Sequence, residues 1–278
     1  MTIPVFQKMI LLWYRENGRH DLPWRKTRDP YHILTSEIML QQTQVDRVIP
    51  KYQSFLEKFP TIEMLASAPI PTLLKEWKGL GYNRRALYLQ RAVQKIKNEH
   101  NGIFPRDVHA IQSLPGVGHY TARAVAAFSF NTPEVFIETN IRRIFIHFFF
   151  RGEEGVTDED IFPYVRRAVW KKDPHAWYSA LMDYGAVAMK DIPNPNKKSA
   201  HYVRQSRFEG SPRYARAKLV DYLLAKKSGE NIVGMQAFFQ TDTYLLPYGN
   251  TEKLKDLLQS LQREGFLERV GKRWRIIK

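Results

Sequence analysis

The feature that most constrains the fold is a succession of short segments in which apolar residues recur at helical spacing. The succession runs from residue 1 to about residue 190, and Gly, Pro or Asn stand in the short loops between segments. This pattern predicts an all-α arrangement over that part of the chain. The predicted helices are Ile3–Glu16, Asp29–Gln42, Gln44–Phe59, Ile62–Ser67, Pro71–Trp77, Arg84–Glu99, Val108–Ser113, His119–Phe128, Ile141–Phe149, Asp158–Val169 and Pro174–Met189.

The pattern changes after a segment rich in Pro, Asn and Lys. Tyr214–Lys226 and Thr251–Glu264 predict two helices, and Phe266–Val270 and Arg273–Ile277 predict two strands that turn at Gly271 and Lys272. Helices followed by a basic hairpin suggest a winged-helix-like module. The prediction is a mainly α protein with a small C-terminal α+β module. Its parts are residues 1–190 (one lobe at about 25–135, the other from the N-terminal helix plus about 136–190), a linker at 191–212 and the module at 213–278.

The balance of charged residues predicts a polyanionic partner. Lys and Arg number 43 and Asp and Glu 28, which leaves a net charge of +15. An excess of this size favours a nucleic acid, with a basic surface kept for solubility or an anionic membrane as alternatives. We expect no membrane span, because no stretch of about 18 apolar residues occurs, and no signal-peptide pattern opens the chain. Cysteine is absent, which excludes disulfides and thiolate-held metals, and the eight histidines show no metal spacing. A cytoplasmic, nucleoid-associated location is expected.

A glycine turn before a helix is the first candidate binding feature. Gly116 and Gly118 lie in Leu114–Gly118, and the helical run that begins near Tyr120 follows at once. Backbone N–H groups of such a turn and the positive end of the helix dipole together suit one phosphate group. An ordinary turn before a helix would have the same sequence.

Two glutamates are candidates for acid–base chemistry. Glu37 lies three residues from Leu34 and from Leu40, so helical geometry puts it on the apolar stripe, where desolvation raises the pKa of a carboxyl. Glu138 precedes a helix, whose N-terminus favours the charged form. One neutral and one ionised carboxyl are what cleavage of a glycosidic bond needs. The alternatives are a Glu37 that reaches water or pairs with an arginine, and a Glu138 that only caps its helix.

Further polar and aromatic loops suit DNA. Gln41–Gln44 ends the helix of Glu37 with hydrogen-bonding side chains, and Tyr82 stands on a glycine turn beside Arg84 and Arg85. A tyrosine there can wedge into a base stack while the arginines hold phosphates. The C-terminal hairpin adds basic residues around Trp274, a composition suited to phosphates or to a solvated edge strand.

Together these segments resemble a known family. The matching motifs, in order along the chain, are Leu22–Arg25, Ser36–Val45, Val48–Pro50, Gly79–Tyr82, Leu114–Ala122 and Leu181–Ala186. Over about residues 1–190 the chain resembles the helix-hairpin-helix base-excision DNA glycosylases. It is most similar to the adenine glycosylases that act on A paired with G or 8-oxoguanine.

The resemblance implies roles for individual residues. Glu37 corresponds to the acid that protonates the base, Glu138 to the catalytic Asp that stabilises the sugar cation, and Asn140 to a neighbour that organises the site. Tyr120 stands where bifunctional relatives carry a Schiff-base Lys, so little or no strand cleavage is expected. Trp24, Arg25 and Ser179 are assigned to the base pocket. Expected DNA contacts are Gln41, Gln42, Thr43, Tyr82, Arg84, Arg85, Gly116, Val117, Gly118 and His119, with Arg204, Arg207, Lys272, Arg273 and Arg275 near the C-terminus.

The chain departs from the family pattern at several places. Glu replaces Asp at 138, and Ser179 stands where adenine glycosylases place a Glu or Gln that reads the base. Met189 aligns with the first of four cysteines that usually hold a [4Fe–4S] cluster, and no cysteine is present. The tail is too short for the family's usual 8-oxoguanine-recognising domain. We therefore expect no cofactor other than a monovalent cation (Na⁺ or K⁺) at 114–118.

The predicted function is that of a monomeric, monofunctional DNA glycosylase acting on double-stranded DNA with a mismatched or damaged base pair. The favoured base is adenine opposite G or 8-oxoguanine. One alternative is a glycosylase for thymine or uracil opposite G, or for a deaminated purine. Another is a protein that binds mismatches without catalysis.

Overall fold

A computed structural model describes residues 1–200, 202–203 and 207–278. Helices make up most of the described residues and one small antiparallel sheet lies near the C-terminus, so the predicted mainly α fold class is confirmed. The helices before residue 190 are α1 (Ile3–Asn17), α2 (Pro30–Leu40), α3 (Val45–Lys58), α4 (Ile62–Ala66), α5 (Ile70–Trp77), α6 (Arg84–Glu99), α7 (Val108–Gln112), α8 (His119–Phe130), α9 (Thr139–Phe149), α10 (Asp158–Ala168) and α11 (Pro174–Asp183). A 3₁₀ turn at Pro23–Arg25 precedes α2, and another lies at Pro195–Lys198.

Side-chain caps explain where several of these helices begin. The Asp29 carboxylate accepts from the backbone N–H groups of Tyr31 and His32 at the start of α2. Thr157 and Asp160 cap α10 reciprocally, each accepting from the other's backbone N–H. Such caps satisfy N–H groups that have no partner inside the helix. They are readable from sequence, which is why the predicted starts agree with the observed ones to within about two residues.

The predicted helix Pro174–Met189 is wrong in its second half. α11 ends at Asp183 and a π-helical segment, Tyr184–Ala188, follows. Arg143 in α9 donates to the carbonyl oxygens of Gly185 (2.7 Å) and Met189 (2.8 Å), so these two oxygens have partners outside the segment. Side-chain bonds of this kind stabilise a local departure from the α-helical ladder.

The C-terminal module contains a helix that periodicity did not predict. Its elements are α12 (Pro212–Ala225), α13 (Ile232–Phe239), α14 (Thr251–Glu264), β1 (Leu267–Val270) and β2 (Arg273–Ile276). α13 is almost wholly apolar and has no polar face that would reveal a helical period. The sequence signal that indicates the start of α13 is its N-cap, Asn231, whose side chain accepts from the Gly234 N–H at 2.8 Å.

The strands complete a winged-helix-like arrangement. β1 and β2 pair antiparallel, with Glu268 opposite Arg275 and Arg269 opposite Trp274. Glu230, between α12 and α13, exchanges both backbone hydrogen bonds with Trp274 (2.9 and 2.8 Å) and extends the sheet by one residue. Three helices and a basic hairpin therefore form one α+β module.

The chain divides into two compact units. One contains residues 1–41 and 103–204, and the other contains residues 42–102 and 205–278. The C-terminal module lies in one unit with α3–α6, and the predicted parts 1–190, 191–212 and 213–278 stay a prediction. Boundaries between lobes depend on which helices pack together, and helical periodicity carries no information on that choice.

Each unit has an aromatic core. In the first, the ring of Phe6 meets those of Phe145 (5.2 Å) and Trp177 (6.0 Å) edge to face. In the second, Phe55 and Trp77 meet in the same way at 5.8 Å. Among the described residues, none of the helices is both long and apolar enough to traverse a lipid bilayer.

Candidate active site

Glu37 is buried in the first unit. The predicted single apolar stripe is wrong, because α2 is buried on nearly every face. The Glu37 side chain is therefore enclosed largely by protein, and the residue is only 6% exposed. The Tyr120 hydroxyl on α8 donates to Glu37 Oε2 at 2.8 Å.

The surroundings of Glu37 make it a proton donor near neutral pH. Burial raises the pKa of its carboxyl to about 7, and the charge of Glu138 raises it further in the same direction. The hydrogen bond from Tyr120 and the charge of Arg25 lower this pKa and only partly offset burial. A carboxyl with a pKa near the working pH can both give and take a proton.

Glu138 is the N-cap of α9. Its Oε1 accepts from the Ile141 N–H at 2.8 Å, and its Oε2 accepts from Asn140 Nδ2 at 3.3 Å. Burial raises the pKa of Glu138, while the backbone N–H groups of Asn140 and Ile141 and the charge of Arg142 lower it. The N–H groups at the helix start thus favour the charged form, as the sequence predicts, but burial outweighs them in the net direction of the shift. The longer side chain still makes a cap of the kind that Asp makes at helix starts.

Tyr120 interacts with both carboxyl groups. Burial raises the pKa of Tyr120 well above its usual value, and the charges of Glu37 and Glu138 raise it further. The hydroxyl therefore stays neutral and acts as a hydrogen-bond donor. The three side chains form one electrostatically coupled cluster within a single unit, as the predicted chemistry requires.

A buried arginine lies beside this cluster. Arg25 is 6% exposed in its side chain, stacks on the Phe128 ring at 5.5 Å, and donates from Nη2 to Asp183 Oδ1 at 3.5 Å. Asp183 also accepts from the Arg19 backbone N–H (2.8 Å) and from its guanidinium (2.6 and 2.9 Å). Within the described residues, Arg25 Nε and Nη1 have no protein acceptor, so they remain buried donors.

The other predicted pocket residues are also buried in this unit. Ser179 in α11 is fully buried and Trp24 is 6% exposed. Burial raises the pKa of Tyr14, whereas the charge of Arg25 lowers it. No sequence pattern predicts a role for Tyr14 or Asp183, although Asp183 lies within the motif Leu181–Ala186.

The glycine turn presents an open backbone. Gly116 has φ +76°, a conformation that favours glycine, and the Val117 N–H donates to the Leu114 carbonyl at 3.1 Å. Val117 is buried, while Gly116, Gly118 and His119 are exposed. Gly118 is the N-cap of α8, and a Cβ there would meet nothing within 4 Å. The N–H groups at the start of α8 are thus approachable by an anion.

The predicted helix-penetrating residues have unusual backbones. Gln42 (φ +54°) and Tyr82 (φ +45°) are non-glycine residues in the left-handed region, and both are exposed. The Thr43 hydroxyl donates to the Leu80 carbonyl at 3.3 Å, joining the two loops in the second unit. In the first unit, Gln41 Nε2 donates to Thr121 Oγ1 at 3.4 Å. Conformations of this kind collect at functional sites, where surrounding contacts maintain them.

Arg85 is not placed as predicted. It is 9% exposed, and its Nη2 donates to Thr43 Oγ1 (3.0 Å), the Leu80 carbonyl (3.0 Å) and the Gly81 carbonyl (3.1 Å). Burial lowers its pKa to about 10. Arg85 therefore fastens the two loops together and does not present a charge to phosphates. Arg84 is exposed, and its Nε donates to the Tyr88 hydroxyl at 2.8 Å.

The C-terminal basic residues differ in accessibility. Lys272 and Arg273 are exposed on the hairpin, whereas Arg275 pairs with Glu268 across the strands at 2.7 Å. Arg207 pairs with Glu209 at 3.5 Å, and Arg204 lies outside the described residues. We find no group of three potential metal ligands among His, Asp and Glu over the described ranges.

Comparison with known proteins identifies the family of this chain. Residues 35–162 match the family described as "HhH-GPD superfamily base excision DNA repair protein". A protein of Mycolicibacterium smegmatis named adenine DNA glycosylase is 34% identical over 77% of this chain and 78% of its own length. One of Buchnera aphidicola subsp. Baizongia pistaciae with the same name is 37% identical over 70% of this chain. The chain spans about half the length of that relative and of other relatives that it matches.

A solved structure shares the fold. The structure titled as a thermostable thymine-DNA glycosylase superposes with a TM-score of 0.62 at 29% identity, covering 71% of this chain and 93% of its own. The resemblance first seen in the motifs is thereby confirmed for sequence and for fold. The chain belongs to the HhH-GPD superfamily of base excision DNA repair proteins.

Proposed function

We propose that this protein is a DNA N-glycosylase that removes adenine mispaired with G or 8-oxoguanine from double-stranded DNA. The observation that carries the proposal is the buried Glu37 carboxyl, with a pKa of about 7, hydrogen-bonded to Tyr120 and electrostatically coupled to Glu138. The relatives named adenine DNA glycosylase support the choice of base. Cleavage of a glycosidic bond needs one carboxyl that is protonated and one that is ionised.

Each group has a role in the proposed reaction. Glu37 donates its proton to a ring nitrogen of the extruded adenine, and the bond between C1′ and the base breaks with its electron pair going to the neutralised base. The Glu138 carboxylate stabilises the positive charge that develops on the sugar. Water adds to C1′ and its proton goes to the Glu37 carboxylate, which restores the acid. Arg25 Nε and Nη1 are buried donors for acceptor atoms of the base.

We infer that strand cleavage does not accompany base removal. Tyr120 stands where bifunctional relatives carry an amine, and its hydroxyl cannot form a Schiff base with the sugar. The expected product is an abasic site that only alkali converts into a strand break.

A second candidate base is thymine or uracil opposite G. The likeness to the thymine-DNA glycosylase structure and the serine at 179 favour it, because Ser179 offers no carboxylate to accept from the amino group of adenine. A panel of A·G, A·8-oxoG, T·G, U·G and hypoxanthine·T duplexes, scored after alkali under single-turnover conditions, separates the candidates. Pyrimidine release alone would overturn the adenine assignment, and binding without any release would indicate a mismatch-binding protein.

The residues available as ligands limit which cofactors the chain can hold. The family's [4Fe–4S] cluster does not fit here, since no cysteine is present to hold it. Main-chain carbonyl oxygens of 114–118 are donors of the type that alkali cations take, so the Na⁺ or K⁺ predicted at the turn stays a prediction. We also propose that the protein acts as a monomer, which sedimentation of the DNA complex would test.

A further inference from the structure

Two arginines contact the ring of Tyr82 in the second unit. The Arg85 guanidinium of α6 lies 5.6 Å from the ring centroid. The Arg213 guanidinium, in the first turn of α12, lies 5.7 Å from it, and Arg213 Nη1 donates to the Tyr82 hydroxyl. One arginine comes from the helix that follows the tyrosine, and the other comes from the C-terminal module.

Both arginines contact the ring, and each also makes a hydrogen bond that the other does not. Arg85 bonds the carbonyl oxygens of Leu80 and Gly81 and so holds the backbone of the turn. Arg213 holds the hydroxyl at the tip of the ring. The Tyr82 backbone is in the left-handed region and the residue is 38% exposed, so contacts to the ring and to its hydroxyl restrict the orientation of this partly exposed side chain.

A second contact fixes the module that carries Arg213. Arg91 of α6 donates from Nη2 to the Glu264 carbonyl at 2.7 Å, at the end of α14. The next residue, Gly265, has φ +86°, and a Cβ there would lie 2.5 Å from Arg91 Nη2. Glycine at 265 therefore leaves room for the arginine to approach. With α12 and α14 in one module, this contact limits the movement of Arg213 relative to α6.

We propose that Arg213 is a positioning residue, which orients the Tyr82 ring for insertion into the base stack and so makes the C-terminal module part of the base-extrusion machinery. The proposal rests on the proposed glycosylase function. A ring that is already oriented loses less conformational entropy on insertion. Charge-assisted hydrogen bonds and cation–π contacts at partly exposed sites correspond to roughly a fivefold to tenfold effect.

The test compares two adenine substrates. Single-turnover release is measured from an A·G duplex and from a duplex with the same adenine as a one-nucleotide bulge, where extrusion costs less. Arg213→Gln is expected to slow release from the A·G duplex about tenfold and release from the bulge less than about twofold. Arg263→Ala, which removes an exposed arginine from α14, is the matched control and is expected to change neither rate.

A double-mutant cycle locates the effect in the contact itself. Tyr82→Phe keeps the ring and removes only the hydroxyl that Arg213 holds. If the contact orients the ring, the variant with both substitutions is no slower on the A·G duplex than the slower single variant. Fluorescence of 2-aminopurine placed opposite G at the target position should rise less in Arg213→Gln than in the wild type.

Each other outcome overturns a different claim. If the wild-type protein releases adenine from neither substrate, the proposed function is refuted. The role of Arg213 in base extrusion is then tested by the 2-aminopurine fluorescence alone. Wild-type release together with equal rates for Arg213→Gln and Arg263→Ala refutes the positioning role. Equal slowing on the duplex and the bulge also refutes it, since the defect would then lie in the chemistry or in the fold.

Discussion

At the scale of single residues, burial determines the chemistry of Glu37. Its pKa of about 7 in the folded chain lies above the ordinary value of 4.5. The native state then binds more protons than the unfolded state above pH 4.5, so the free energy of unfolding falls as pH rises from about 4.5 to 7. Ionisation of this carboxyl thus opposes folding, which is the usual cost of a buried acid kept for catalysis.

Glu37→Gln should remove that dependence. We expect the stability of the variant, relative to the wild type, to increase by about 3 kcal/mol between pH 4.5 and a pH above 7. Urea unfolding at several pH values measures it. A difference between the two proteins that stays constant with pH would contradict the raised pKa. The same variant should lose base release by about 10²-fold or more while still binding duplex DNA.

Tyr120→Phe tests the hydrogen bond to Glu37. That bond lowers the pKa of Glu37, so its loss should raise the pKa and move the alkaline limb of the single-turnover rate to higher pH. The reason is that the protonated carboxyl is the active form. A pH–rate profile measures the shift, with Tyr164→Phe on α10 as the matched control. An unmoved limb in Tyr120→Phe would assign that limb to another group.

Substitutions of Glu138 separate its role as the N-cap of α9 from the role of its negative charge. Glu138→Asp should keep the N-cap of α9 and leave the rate within about tenfold, because Asp caps helices and carries the same charge. Glu138→Gln should slow release by about 100-fold or more, since it removes the anion that faces the sugar cation. Melting temperatures and single-turnover rates measure the two effects. Equal rates for Glu138→Gln and the wild type would exclude Glu138 from the reaction.

At the scale of elements, the approach of the π segment to α9 depends on one glycine. A Cβ on Gly185 would lie 2.7 Å from Asn140 Cβ and 2.9 Å from the Asn140 carbonyl oxygen. Asn140 in turn holds Glu138. The packing of the π segment against α9 and the orientation of the Glu138 carboxyl, for which we propose a catalytic role, therefore both depend on the absence of a side chain at position 185.

Gly185→Ala should consequently lower both stability and activity. Overpacking of this kind costs about 2 kcal/mol, which corresponds to a fall of roughly 5 °C in melting temperature. Gly118→Ala is the matched control for stability alone, because its φ is −85° and a Cβ there has open space. Calorimetry compares the two variants, and single-turnover rates compare Gly185→Ala with the wild type. Equal melting temperatures for Gly185→Ala and the wild type would show that α9 moves aside without a loss of stability.

At the scale of the whole molecule, the net charge of +15 should dominate binding to duplex DNA. The affinity for an undamaged duplex is expected to fall by on the order of 10²-fold or more between about 50 and 200 mM salt. Lys272→Ala and Arg273→Ala should each reduce the slope of log affinity against log salt by about 1, if the hairpin meets phosphates. Glu268→Gln is the contrasting change, since it frees Arg275 and should steepen the slope. Fluorescence anisotropy measures all four proteins.

Local sequence signals were enough for most elements. The helices α6 and α14 begin and end where periodicity and flanking residues predict, and both strands of the hairpin occur. Apolar periodicity, caps and turn residues act over a few positions, so they are readable one segment at a time. The Ser36–Val45 motif identified the family for the same reason, because its residues lie consecutively along one helix and the following loop.

The burial and the partners of the charged residues depend on contacts between segments that are far apart in the sequence. From sequence alone, Arg85 and Arg84 looked equivalent, yet only Arg85 is buried under the loops at 43 and 80–81. Asp183 had no predicted role because its partners Arg19 and Arg25 are more than 150 residues away along the chain. The sequence by itself determined most of the helices, the net charge and the family. Only the tertiary structure decided which charged groups lose their water, because desolvation depends on packing between segments that no local pattern connects.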